Sequence, residues 1–360
     1  MIRSWQFDWS LFIPIFLISF LGSVTILSVN QAVFVSQLIY LILGLIIFLI
    51  VSRVDIRIFE SFNRLFYYFS LFFLAIPLFF GVFSRGAVRW IQIGPKTLQP
   101  SELVKPLLII FLAKFWAERK INLQNLLKCF FLSSLPIFLI FRQPDLGSSL
   151  VVVSIVLGII LATEIKFSQI TILLVVILVL LPSSWLFLKD YQKLRIVHFF
   201  NPNADPLGAG YNVIQAMITV GSGGFWGKGL GRGTQSHLAF LPERHTDFLF
   251  ASFAEEFGFL GCFGLLLSYY FLWKRILLIA SNSEDRFGYF FCLGVFIFLF
   301  FQAVVNVGMN LGLMPITGIT LPLFSYGGSS LVSTMICLGL VSSQEAMIKK
   351  DDGLAIGIRN

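Results

Sequence analysis

Charge is scarce in this chain. Asp, Glu, Lys and Arg make up 12% of its 360 residues, about half the roughly 25% of an ordinary soluble domain. A soluble globule built this way would lack polar side chains to cover its surface, and a disordered chain would need far more charge. Cysteine is scarce too: Cys129, Cys262, Cys292 and Cys337 lie in or beside apolar runs without a C-x-x-C spacing. That excludes a disulfide scaffold and reads as small apolar packing. The three histidines, His198, His237 and His245, show no metal-ligand spacing.

What is abundant is hydrocarbon, with 57% apolar residues and a mean hydropathy of +0.89. A bilayer-spanning helix takes roughly 20 such residues, so the chain has room for ten. Apolar runs fall at about 10–29, 32–52, 66–83, 102–117, 127–141, 146–164, 167–187, 247–272, 287–309 and 327–346. The reading is an all-α integral membrane protein of about ten transmembrane helices, one polytopic domain over 1–360. The first run is long, lacks a small-x-small cleavage site and is soon followed by a second, so it reads as an anchor rather than a leader. Trp5, Trp9, Trp116, Trp185 and Trp273 sit near proposed helix ends, as an interfacial aromatic belt requires.

Ten spans put both termini on one side, and a weak excess of Lys and Arg makes that side cytoplasmic. Almost all the basic residues then left outside fall in two segments, 84–105 and 188–246. The first, rich in Gly and Pro, reads as turns ending at Ser101, an N-cap candidate. Glu102 would follow in a helix's first turn, where the macrodipole favours a carboxylate. Lys105 lies three residues on, pointing into an apolar span, where an ammonium needs a partner or a watery cavity. Asp145 is either an N-cap or a carboxylate lining that cavity. The second segment is too long to be a mere connector. It carries a short amphipathic stretch at 211–220, read as lying on the bilayer surface, and the runs Gly221-Ser222-Gly223-Gly224 and Gly227-Lys228-Gly229. Such glycines can form an anion-binding nest, here beside Lys228. Asp247 stands where water would meet hydrocarbon, next to Arg244 and His245. Glu255 and Glu256 lie about two turns deeper, where buried carboxylates mark a polar interior.

These strings have a further significance. RWIQIG…LQPSELVKP, QPDLGSS, DPLGAGYNVIQ, GSGGFWGKGLGRGTQSHLAFLPERHTDFLFA, EEFGFLG and PLFSYGGSS together resemble the SEDS family (shape, elongation, division, sporulation) of bacterial cell-wall proteins. They run in the family's order from about residue 85 to 330. Arg244 before His245-Thr246-Asp247 is closer to the elongation-type than to the division-type branch. The resemblance implies a glycosyltransferase that polymerises lipid II outside the cytoplasmic membrane. It also implies Asp247 as general base, and Trp90, Glu102, Lys105 and Asp145 as cavity residues. As partners it implies a class B penicillin-binding protein transpeptidase and other membrane proteins of the elongation complex, and no nucleic acid.

The residues themselves suit that chemistry. A sugar hydroxyl needs a base, and a departing pyrophosphate needs positive charge, for which Arg85, Arg89, Lys105, Arg195, Lys228 and Arg244 are candidates, with His245 beside the base. A divalent cation, Mg or Mn, is suggested by pyrophosphate chemistry, yet no ligand cluster for it is visible. The rival reading is a lipid II flippase, which should place its polar groups at the bilayer midplane. Here they gather in loops and helix tips.

Overall fold

The computed structural model describes residues 8–84, 87–94, 96–163, 171, 185–201, 205, 210–238 and 240–357. Two long apolar helices come first, α1 (Trp9–Val29) and α2 (Gln31–Val51), followed by a short α3 (Ile56–Ser61) and then α4 (Asn63–Phe80). A small sheet of β1 (Val82–Ser84), β2 (Ala87–Ile93) and β3 (Lys96–Leu98) leads into α5 (Pro100–Glu118), α6 (Leu123–Arg142) and α7 (Leu146–Leu161). After that come α8 (Asp190–Phe200), α9 (Tyr211–Ser222), α10 (Thr234–His237), α11 (Leu249–Ser281), α12 (Arg286–Asn310) and α13 (Gly328–Gly357).

Nine of the ten anticipated spans have a matching helix; the seventh, 167–187, lies largely outside the described residues. Seven described helices are long and apolar enough to cross a membrane, with the shorter α7 equally apolar. The chain is therefore an integral membrane protein. Its centre and its rim differ sharply in burial: 78% of the α13 span is buried, against 17% of α2. So α13, α12, α5 and α7 form the core, and α2 presents Val35, Ile39, Ile42, Ile46 and Ile50 to the lipid. Small residues let the helices close up: a Cβ on Gly22 of α1 would strike the carbonyl of Phe324, and one on Gly44 of α2 would strike Leu331.

The structure departs from the sequence reading in three places. Segment 84–105 is not a set of turns. Its Val, Trp, Ile and Thr residues pair as an antiparallel sheet in the order β1-β2-β3, with Val82 opposite Trp90 and Ile91 opposite Leu98. Gly94, at φ +59, makes the turn between β2 and β3.

Helix α9 is present, but it does not lie free on a bilayer surface. Val213, Ala216 and Thr219 are buried, and Ala216 packs with Leu241, Phe248 and Ala251.

The third departure is α11, which breaks at Gly258, where φ is +64 and ψ −164. The backbone groups freed by the break are satisfied by the glycine-rich run. The amides of Lys228 and Gly229 donate to the carbonyls of Glu255 and Glu256, and those of Phe259 and Leu260 donate to Gly224 and Phe225. The two motifs thus build one another. Residues 259–281 alone span about 35 Å at 1.5 Å per residue, enough to cross a bilayer. Trp226, 76% exposed, and Phe225, stacked on Phe259, then fall at the level where interfacial aromatics sit.

Candidate active site

Two polar groups form at the sheet-bearing end of the bundle, one on either side of residues 315–321. The first is rooted in α5 and α7. Asp145 caps α7, accepting the Ser148 amide at 3.1 Å, so the capping expectation holds. The other carboxylate oxygen accepts from Gln99 Nε2 at 2.7 Å and Ser101 Oγ at 3.0 Å, and Arg89 on β2 approaches at 3.7 Å. Burial pushes the Asp145 carboxyl up. Against it, the Arg89 charge, the Ser148 donors and Lys105 act together and hold it below the usual aspartate value. Ser101 serves here as a donor to Asp145; the N-cap of α5 is Gln99. Arg89 also lies 6.0 Å from the Trp90 ring, which links the sheet to this cluster.

Lys105 is fully buried. Its partner is Glu102, one turn earlier on the same helix face, at 2.5 Å. The pair is enclosed by α12, whose Phe298 ring lies 5.4 Å from the ammonium, and by α13, whose Ser333 hydroxyl donates to the Glu102 carbonyl.

The second group surrounds Asp247, half-buried in the turn before α11. Helix α11 starts two residues later than expected, at Leu249, so Asp247 precedes it and its carboxylate is turned toward the irregular segment 315–321. There a Cβ on Gly318, at φ +74, would lie 3.6 Å from Asp247 Oδ2. The neighbouring Arg195 on α8 donates to the Ile316 carbonyl at 3.4 Å, and Arg244 to Val29 at the end of α1. His245 leads into an aromatic row. Its ring centre lies 5.7 Å from that of Tyr326, and Tyr326 lies 6.3 Å from Tyr40, over which Lys96 sits at 5.1 Å. The two groups meet through this segment, because a Cβ on Gly147 of α7 would strike Thr317 and Ile319.

Lys228 is placed elsewhere. Its ammonium contacts Glu255 at 2.7 Å, about 12 Å along α11 from Asp247, so it is removed from the set of cations facing the base candidate. Glu255 also accepts the amides of Gln235 and Ser236, and Glu256 accepts from Ser28 and Gly231. Both carboxylates staple the glycine-rich run to α11. Arg85 lies outside the described residues. Sequence reasoning missed Gln99, Lys96 and Tyr326, and it missed Asn306 and Asn310. The signal for the last two was a row of amides at four-residue spacing, Gln302, Asn306 and Asn310, in a largely apolar span.

A family model described as cell cycle protein, covering FtsW, RodA and SpoVE, matches residues 6–350. The chain belongs to this family. The membrane bundle of the FtsW/RodA/SpoVE family is shared with solved structures. A chain from a structure of a peptidoglycan synthase complex that coordinates polymerization and crosslinking superposes with a TM-score of 0.84 at 33% identity, covering 95% of this chain and 98% of that one. The Thermus thermophilus rod shape determining protein RodA gives a TM-score of 0.73 at 31% identity with the same coverage. Among curated relatives, the peptidoglycan glycosyltransferase MrdB of Escherichia coli is 39% identical over 305 residues, 84% of this chain and 82% of that protein.

Proposed function

We propose that this FtsW/RodA/SpoVE-family chain is a peptidoglycan glycosyltransferase of the elongation branch, polymerising lipid II during rod-shape maintenance. The observation that carries the reading is Asp247, a half-buried carboxylate facing Gly318 in the turn before α11, with Arg244 and His245 close by in the chain and Arg195 donating to the nearby Ile316 carbonyl. In the reaction, Asp247 takes the proton from the C4 hydroxyl of an acceptor N-acetylglucosamine. The freed oxygen bonds to C1 of the donor's N-acetylmuramic acid. The C1–O bond to undecaprenyl pyrophosphate breaks with inversion, turning the α-linked donor into a β-1,4 glycan. Arg195, Arg244, Arg89 and Lys96 supply positive charge for the departing pyrophosphate. The divalent cation expected with pyrophosphate chemistry finds no ready cage, because no three His, Cys, Asp or Glu side chains converge among the described residues.

The polyprenyl tail explains why such a transferase is built among lipid-facing helices. In this reading both termini are cytoplasmic and the Asp247 mouth faces outside. A class B penicillin-binding protein crosslinks the emerging strands, with other elongation-complex membrane proteins alongside; the relative drawn from a synthase complex supports that partnership. The test is purified protein supplied with lipid II. Glycan strands should form in the presence of moenomycin and cease in Asp247→Asn while that variant stays monodisperse. Movement of lipid II across vesicles without any polymer would favour the flippase instead.

A further inference from the structure

Helix α12 carries three fully buried amide side chains at one-turn spacing, Gln302, Asn306 and Asn310, and the last two face the Asp247 turn. In an apolar core an unpaired amide is costly, and each of these two is engaged with main chain from another element. Asn306 Nδ2 donates to the Asp247 carbonyl at 3.0 Å and to the Ile319 carbonyl at 2.8 Å. Asn310 Nδ2 donates to the same Asp247 carbonyl at 3.1 Å and to the Asn306 carbonyl at 2.8 Å, while its Oδ1 accepts the Ala251 amide at 3.1 Å. Helix α11 has no side-chain cap of its own, so Asn310 supplies one from the neighbouring helix.

We propose that Asn306 and Asn310 are positioning residues that hold the Asp247 main chain and the 315–321 segment in one fixed relation. This deepens the reading of Asp247 as the base and rests on it. Three pieces of backbone converge on these two side chains: the turn that bears Asp247, the first turn of α11, and the 315–321 segment whose Gly318 faces the Asp247 carboxylate. The same turn is tied to the bundle through the Tyr326 amide on the His245 carbonyl and Arg244 on the Val29 carbonyl, and Glu243 within it holds a φ of +51. With two donors on its own carbonyl, Asp247 cannot rotate about its backbone without breaking both. A base must stand within hydrogen-bond reach of the acceptor hydroxyl, and a displacement near 1 Å can cost on the order of a hundredfold in rate. Neither asparagine reaches the substrate side, so the clamp acts on turnover and leaves lipid II binding to the surface groups.

The test measures polymerisation kinetics of the full-length protein in proteoliposomes with lipid II. Asn310→Leu and Asn306→Leu are expected to lower kcat at least tenfold with KM within twofold of wild type. Asn310→Ser, which fits the space and keeps one donor, should fold and give an intermediate kcat at unchanged KM. A merely structural asparagine would lower kcat only in proportion to unfolded protein; that result, or a raised KM at constant kcat, overturns the clamp. Asp247→Asn, assayed in parallel, separates the two claims. Activity surviving in it overturns the base reading, whereas an inactive Asp247→Asn beside fully active asparagine variants overturns the clamp alone.

Discussion

Lys105 and Glu102 show why a buried charge is poor evidence of substrate contact. An ion pair with the ammonium wholly enclosed is a closed unit, and removing one member strands the other. Lys105→Met should therefore destabilise by about 3–5 kcal/mol, whereas Lys105→Met with Glu102→Leu should regain most of that loss. Thermal unfolding in detergent measures both. If the double variant is stable but inactive, the pair serves the reaction; if stable and active, it serves the fold alone. Asp145 behaves differently with pH. Its carboxyl is held below the usual aspartate value of 3.8, so its share of the stability is fully present above about pH 4 and is lost only as pH falls through the lowered value. Between pH 5 and 8 it stays ionised. Asp145→Asn should accordingly lower activity across that range without shifting the acid limb of the rate profile. A shifted limb would assign Asp145 a proton-transfer role in place of an electrostatic one.

At the scale of elements, the spans were legible because each is long and apolar, and length and hydropathy suffice to read such helices. Asp145 could likewise be read as a cap from its position before α7. What could not be read was anything created by two distant segments meeting. The crossing of residues 224–229 with the break at Gly258 needs both strings in three dimensions, and so does the partner of Lys228. The sheet was obscured because Gly and Pro punctuate strands as short as three residues. The crossing makes a sharp prediction. A Cβ on Gly258 would approach the Gly227 amide nitrogen to 2.2 Å and would sit at positive φ, so Gly258→Ala should destabilise by about 2–5 kcal/mol. Gly264, six residues on, meets nothing within 4 Å, and Gly264→Ala should be neutral or stabilising by up to about 1 kcal/mol through helix propensity. Equal losses in both, measured by thermal midpoint, would mean that the crossing has no special place in α11.

For the whole molecule, the two ends of the bundle carry different chemistry. One holds the sheet, the glycine-rich crossing and Asp247. The other closes on a compact ion cluster, in which Arg275 binds Asp8 at 2.9 Å and also contacts Glu345, itself bonded to Lys349 at 2.8 Å. A polymerase that builds a glycan outside the cell must present the first end outward, and the weak charge bias of the loops alone makes a thin case. Direct labelling gives a stronger one. Cys129, Cys292 and Cys337 are buried and Cys262 half-buried, so the native thiols give a low background. Thr97, exposed on β3, marks one end, and Glu284, exposed in the turn after α11, marks the other. Thr97→Cys should react with a membrane-impermeant maleimide on intact spheroplasts, and Glu284→Cys only after permeabilisation. The reverse pattern would turn Asp247 toward the cytoplasm, where no wall is assembled. A carboxylate on that side could still pull a proton from a sugar, but the strand it made would lie on the wrong face of the membrane for any crosslinking partner. The glycosyltransferase reading would then fall, however well the residues around Asp247 are arranged.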